Sequence, residues 1–154
     1  MQQELKAPIG KYILVSLVFI QAISAIGGAI NLLFNPFANS SMEQPLSTLN
    51  ETPFKSFLIP GLILLVLLGI FPSFLIYPLI KKPAWKRVNI INIYQTMHWS
   101  WTYSLYLGIM LIVWINIQIF FIGYGSILQT IYSFVGLLII VSALLPKVIK
   151  YYTL

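Results

Sequence analysis

The polar side chains best placed for chemistry in this sequence are neutral, and they lie inside long apolar segments. Helical spacing places four residues of the first segment on one face, namely Gln21, Ser24, Gly28 and Asn31. Later segments contain Asn116, Gln118 and Gln129. Amides and hydroxyls in such segments either hydrogen-bond one helix to another or supply the polar groups of a ligand pocket. The residue types leave both roles open.

Ionisable side chains are missing from the same segments. None of them contains Lys, Arg, Asp or Glu, and the only histidine, His98, borders the third segment. Proton relays, ion-coupled transport and voltage sensing use ionisable groups within the membrane. We interpret His98 as a polar group at the membrane interface rather than as a ligand or catalyst. With no cysteine and no acid–base pair, the sequence predicts no enzyme activity, no cofactor and no metal site.

The elements that carry these residues are transmembrane helices. Of the 154 residues, 59% are hydrophobic and only 8% are charged, and the mean hydropathy is +0.91. Soluble domains have roughly 25% charged residues, so this chain is too poor in charge to cover a water-facing surface. The net charge of +6 does not indicate nucleic acid, because the basic residues flank the apolar segments as they do in membrane proteins.

Four spans are predicted, at about residues 12–34, 57–80, 99–122 and 127–146, within one membrane domain of residues 1–154. Each is long enough for the ~20 residues that a helix needs to cross the hydrocarbon core. The turn-prone sequence 123–126 separates the last two spans. The first apolar run is too long for a cleaved signal peptide, so we expect it to be retained. The fold class is therefore an all-α integral membrane protein with a four-transmembrane-helix bundle.

Lysine and arginine predict the orientation of the bundle. Eight of the nine lie in the N-terminal tail, the second loop and the C-terminal end, whereas the first loop contains only Lys55. The positive-inside rule then places both termini in the cytoplasm. Eight lysines against one arginine, with abundant isoleucine and asparagine, are typical of an AT-rich bacterial genome, so we expect the protein in a bacterial cell membrane. The expected lipid contacts are anionic headgroups at Lys81, Lys82, Lys86 and Arg87.

Two local departures from simple spans are expected. Residues 88–98 contain polar positions at helical spacing but no charge, which predicts an interfacial helix between the second and third spans, or an extension of the third. Pro72 lies inside the second span and removes the hydrogen bond to the carbonyl of Leu68, which predicts a kink.

A set of short motifs resembles a group of small, uncharacterised, four-pass bacterial membrane proteins. The most specific of them is the Pro-Phe…Ile-Pro-Gly-Leu pattern at the start of the second span, residues 53–62. The patterns Trp-Ile-x-x-Gln at 114–118 and Ile-Gly at 122–123 add to it. The resemblance covers about residues 26–145, with departures at 37–42 and 88–98. It implies a four-helix membrane fold and no particular activity.

Depth within the membrane suggests where a site lies. With both termini inside, the outer third of the bundle contains a set of small and amide residues, Asn31, Pro60, Gly61, Asn116, Gln118 and Gln129. The loop at 35–56 would fold over this end. We therefore predict a non-enzymatic protein that binds a partner, lipid or amphiphile in a polar outward pocket. The alternative is a subunit of an oligomeric small transporter or channel, in contact with further copies or with another membrane protein.

Overall fold

A computed structural model describes residues 6–37 and 46–154, and within them the chain is helical. Four long helices follow one another as α1 (Ile9–Phe34), α2 (Leu58–Lys81), α3 (Trp99–Ile122) and α4 (Ile127–Leu144), and a short helix, α5, covers Pro146–Tyr152. Two 3-10 helices lie in the loops, at Leu46–Leu49 and Lys86–Ile91. The four long helices are apolar enough to cross a membrane. The predicted four-span, all-α fold is confirmed.

The helices form an antiparallel bundle with two distinct ends. We call the end with residues 6–8, 82–98 and 145–154 the His98 end, and the end with residues 35–37, 46–57 and 123–126 the Gly123 end. Both described termini lie at the His98 end, where His98 N donates to Tyr152 O at 2.8 Å. Helix α1 packs against α2 and α4, and α3 packs against α4. Helix α2 contacts α3 mainly through Phe71–Lys81, so this pair is closest in the half of the bundle at the His98 end.

Glycine permits a close contact between α3 and α4. A Cβ added to Gly108 of α3 would lie 2.8 Å from the carbonyl oxygen of Gly136 in α4, and a Cβ on Gly136 would lie 3.0 Å from that of Gly108. Without side chains at these two positions the backbones approach directly, as is common between membrane helices. Only 28% to 33% of the apolar 18-residue stretch of each span is buried inside the bundle, so most of its residues face outward. That outer surface matches lipid.

The second span accommodates Pro72 by a change of helical register. Residues Leu64–Ile70 form a π-helix in the middle of α2, and Phe71 N donates to Val66 O, five residues back. Pro72 is buried just after this segment and has no N–H to donate. A π-segment beside a proline is a known way to relieve the lost hydrogen bond. The bend predicted at Leu68–Pro72 stays a prediction.

The helix predicted over residues 88–98 is shorter than expected. The 3-10 helix ends at Ile91, and residues 92–98 form a loop that leads into α3 at Trp99. The cause is Asn92, which is 1% exposed. Its Nδ2 donates to Asn89 Oδ1 at 2.8 Å and to Met97 O at 2.9 Å, and its Oδ1 accepts from Tyr94 N at 3.2 Å and Thr102 Oγ1 at 2.5 Å. An asparagine side chain that bonds nearby backbone in this way competes with helix formation.

Candidate functional site

A cavity of about 330 Å³ lies between the four long helices, on the Gly123 side of the bundle. Helix α1 contributes one face to it, formed by Gln21, Ser24, Gly28 and Asn31. This is the face that the sequence spacing identified. Helices α2, α3 and α4 supply most of the remaining walls, and every described residue that lines the cavity is uncharged. The volume is at the small end of the ~300–1,000 Å³ range of small-molecule sites.

Gln21 lies at the inner limit of the cavity, near the middle of α1. Its side chain is only 1% exposed. Among the described residues, its Oε1 is the buried side-chain atom that has no hydrogen-bond partner. The neighbouring Ser24 Oγ donates to the backbone oxygen of Gln21 at 3.1 Å rather than to its side chain. An unpaired amide oxygen away from water costs about 1–3 kcal/mol, and this atom is closed to a water-sized probe.

Apolar side chains surround the middle of the cavity. Leu64 and Leu68 of α2 lie on one side, and Leu111 and Ile115 of α3 on the other. Leu68 and Leu111 are each 1% exposed, so these walls are part of the packed core. The middle of the cavity is therefore an apolar slot.

Gln129 builds the rim of the cavity rather than offering free polar atoms to it. Its Oε1 accepts from Gly125 N at 3.0 Å and Ser126 N at 3.3 Å, and its Nε2 donates to Gly123 O at 3.2 Å. Ser126 Oγ accepts from Leu128 N at 3.2 Å. Together these contacts form a capping box at the start of α4. The Ser-x-x-Gln pattern at 126–129 is its sequence signature, which the sequence analysis did not use.

Gln118 and Asn31 also line the cavity, near its mouth. Gln118 is half-buried and Asn31 is exposed. Within the described residues no hydrogen bond joins the side chains of Gln118 and Gln129, although both belong to the same cavity. The amides of Gln118 and Asn31 are among the polar groups of the mouth, to which Asn35 and Ser126 also belong.

The other three predicted site residues lie outside the cavity lining. Asn116 is on the exposed face of α3, where its Nδ2 donates to Ile112 O at 2.8 Å. Gly61 packs against α1, with Leu32 Cβ 3.1 Å from where a Cβ would be, and Pro60 is half-buried in the first turn of α2. Residues 38–45 of the loop that was expected to cover the pocket lie outside the described residues. The described part of that loop contributes Phe57 to the lining.

His98 is buried at the opposite end and has a structural role. It is 5% exposed, and its Nδ1 accepts from Ser100 N at 3.3 Å, which caps the start of α3. Its Nε2 lies 3.1 Å from Pro83 O. With Nδ1 as acceptor, Nε2 carries the proton and donates to that carbonyl. Burial lowers the pKa of His98 below its ordinary value, and the nearby charge of Lys82 lowers it further. The interfacial polar group that we expected is therefore enclosed by the protein.

The carbonyl groups that end α2 are also satisfied at the His98 end. Tyr152 OH donates to Leu79 O at 2.5 Å and Lys11 Nζ to Ile80 O at 3.2 Å, while Pro78 O accepts from Lys82 N at 2.9 Å. The hydroxyl of Ser100 lies 2.8 Å from His98 Nδ1 and donates to it. The last carbonyls of a helix have no partner within the helix, and here α5 and α1 supply one each. Burial raises the pKa of Tyr152, so this donor stays protonated.

In the described part of the chain no group of three His, Asp or Glu side chains could hold a metal ion. The cavity contains amide, hydroxyl, aromatic and aliphatic groups, which can bind and orient a molecule by hydrogen bonds and apolar contact. Comparisons of the chain with protein-family models, with curated proteins and with solved structures found no match.

Proposed function

We propose that this chain is a non-enzymatic protein of the bacterial cell membrane that binds a partner, lipid or amphiphile in the cavity at its Gly123 end. The observation that supports the proposal is the cavity of about 330 Å³ beside the polar face of α1, which Gln21, Ser24, Gly28 and Asn31 form. If this face only packed helices together, side chains of the neighbouring helices would fill the space against it. Here an open volume lies against it instead.

The positive-inside rule supports an outward position for this cavity. Lys81, Lys82 and Arg87 are exposed at the His98 end, and with Lys86 they would face the anionic headgroups of the cytoplasmic leaflet. Lys82 Nζ also donates to Tyr151 O at 3.0 Å, so it holds α5 in place as well. In this orientation the Gly123 end faces the outside of the cell.

The alternative, an oligomeric transporter or channel subunit, has less support. The half of the bundle at the His98 end is packed, with Leu14, Leu75 and Leu107 each 0% exposed. A path for ions or polar solutes would need polar groups through that half. Any such path would have to form between copies of the chain.

The orientation can be tested with single cysteines, because the natural chain contains none. Gly125→Cys lies at the exposed Gly123 end and Thr96→Cys at the exposed His98 end. In intact cells, an impermeant maleimide should label Gly125→Cys and leave Thr96→Cys unlabelled until the membrane is broken. The reverse pattern would place the cavity on the cytoplasmic side.

Binding can be tested with a matched pair of variants on α1. Ser24→Leu adds a side chain inside the cavity, whereas Ser16→Leu makes the same change on the exposed face of the same helix. Lipid extracts of the purified protein in nanodiscs, measured by mass spectrometry, should contain a compound that empty nanodiscs lack. We expect Ser16→Leu to retain it and Ser24→Leu to lose it. Equal retention by both variants, or no enriched compound in the natural chain, would contradict the proposal.

A further inference from the structure

We propose that a groove at the His98 end, separate from the cavity, binds the head of an anionic glycerophospholipid. The groove lies between the start of α1 and the short helix α5, and three lysines line it, Lys6, Lys147 and Lys150. We call it the lysine groove. Two segments that are far apart in the sequence supply these lysines, and none of the described residues that line the groove is acidic.

The lysines of the groove differ from two other lysines near α5. Lys11 is buried, and its Nζ donates to Ile80 O at 3.2 Å and to Tyr151 OH at 3.0 Å. Lys82 Nζ donates to Tyr151 O at 3.0 Å. The three groove lysines are exposed, and in the described residues no hydrogen bond or ion pair holds their amines. Glu51, the acidic residue of the described ranges, lies at the Gly123 end, so the groove keeps its positive charge for an anion from outside the chain.

Close packing of α1 against α5 holds the two sources of lysine together. A Cβ added to Gly10 would lie 2.7 Å from Val148 Cγ2 and 2.8 Å from Leu145 Cδ1. Val148 is 0% exposed, so the buried side of α5 is fixed on α1. The backbone positions that carry the lysines are therefore set before a ligand binds, which reduces the ordering cost of binding.

The lysine groove lies at the depth of the lipid headgroups. Its lining includes Ile9, the first residue of α1, and Leu145, which follows the last residue of α4. Both spans leave the hydrocarbon core here, so amines at this level reach the headgroups while their aliphatic stems stay beside the apolar surface. Basic pockets between membrane helices at this depth suit anionic headgroups.

The apolar part of the groove favours a lipid over a soluble anion. Ile9 is 79% exposed and Leu145 is 38% exposed, and the neighbouring Leu144 and Ile13 are exposed as well. An acyl chain that runs from the groove along the outer surface of the spans contacts these side chains, whereas a soluble phosphate uses the charges alone. A zwitterionic lipid has an ammonium group that the lysines repel, so the anionic class is preferred.

Native mass spectrometry of the purified full chain in detergent measures the affinity for the first bound lipid. Two lipids with the same acyl chains are compared, 1-palmitoyl-2-oleoyl phosphatidylglycerol and the corresponding phosphatidylcholine. We expect phosphatidylglycerol to bind more tightly by at least roughly tenfold. Millimolar glycerol phosphate, which has the charge without the chains, should not displace it.

A matched pair of double variants separates the groove from general attraction to a positive surface. Lys147→Gln with Lys150→Gln removes two charges from the groove, whereas Lys81→Gln with Arg87→Gln removes two exposed charges at the same end but outside it. Each lysine beside an anionic lipid contributes roughly fivefold in affinity. The groove variant should therefore bind phosphatidylglycerol at least roughly tenfold more weakly, and the control should change its affinity by less than about twofold.

Lys6→Gln tests the contribution of the segment before α1 and should weaken binding roughly fivefold. Circular dichroism verifies that each variant is folded. Equal weakening by the groove variant and its control, or unchanged affinity in Lys6→Gln, would contradict a site built from both segments. Equal affinity for the two lipids, or displacement by glycerol phosphate, would show that the ligand class is wrong. The cavity takes no part in these measurements, so their failure would leave the proposed function intact.

Discussion

Two buried amides, Asn92 at the His98 end and Gln21 beside the cavity, are each 1% exposed and have opposite surroundings. The amide of Asn92 takes part in four hydrogen bonds, whereas Gln21 Oε1 has no partner among the described residues. Inside a membrane no bulk water is present to satisfy a buried polar atom. The contrast teaches that equal burial does not imply equal hydrogen bonding: the fold surrounds Asn92 with partners and leaves Gln21 Oε1 without one.

The two ends also differ in how their helices meet. At the His98 end, Tyr152 and Lys11 each donate to a carbonyl at the end of α2, so two segments are joined to that helix. At the Gly123 end, the described hydrogen bonds of Gln129 stay within residues 123–129. Local bonds of this kind leave the helices free to stand apart around the cavity.

Replacement of Asn92, whose amide is fully hydrogen-bonded, should have the largest effect on stability. Asn92→Leu leaves the polar groups of Asn89, Met97 and Thr102 without their partner, and each unsatisfied buried group costs about 1–3 kcal/mol. We expect a loss of roughly 3 kcal/mol or more in the free energy of unfolding in detergent. A loss under about 1 kcal/mol would mean that water replaces Asn92 in this network and that the His98 end is less closed than we infer.

A substitution in the contact between α3 and α4 should have the next largest effect on stability. Gly136→Ala places a Cβ 2.8 Å from Ile112 Cγ1 and 3.0 Å from Gly108 O. Overpacking of this kind costs about 1–3 kcal/mol, and thermal unfolding measures it. Gly27→Ala is the control, because nothing lies within 4 Å of its Cβ position. The control should be neutral, or stabilising by up to about 1 kcal/mol.

Replacement of Gln21, whose amide oxygen is unpaired, should change the free energy of unfolding in the opposite direction. Gln21→Met replaces a buried polar atom that has no partner by an apolar side chain of similar shape. Without ligand, we expect the free energy of unfolding to rise by about 1 kcal/mol. A decrease of similar size would show that Gln21 is already satisfied in the unliganded protein, and the contrast with Asn92 would disappear.

The smallest expected effect is the pH dependence of stability caused by His98, which caps α3. Burial lowers the pKa of His98 in the native chain below its ordinary value of 6.5, which the unfolded chain keeps. At pH values between the native and the unfolded pKa, the unfolded chain therefore binds a proton that the native chain does not. Stability should therefore be highest above pH 6.5 and fall as the pH decreases toward the lowered pKa, with a slope of at most about 1.4 kcal/mol per pH unit. His98→Gln, which removes the only histidine, should abolish this dependence. A dependence that persists in the variant would assign it to another group.

Much of the candidate site was visible in the sequence as one face of one helix. The spacing of Gln21, Ser24, Gly28 and Asn31 was enough to place them together, and all of them line the cavity. The same spacing did not distinguish a packing face from a pocket, because that depends on what the other helices bring opposite. Asn116 and Gln118 are two residues apart in α3 and therefore diverge around it, so only Gln118 reaches the cavity.

By itself the sequence determined the four spans, because apolar length and the scarcity of charge are properties of the chain alone. It also determined that both termini lie at one end, since four spans return the chain to the side where it began. Only the tertiary structure decided which polar atoms are satisfied. Asn92 meets Thr102, ten positions away, through the fold of a loop, and Tyr152 meets Leu79 across the bundle. Gln21 meets no partner in the described residues, because the donors and acceptors that surround a buried atom come from segments that only folding brings together.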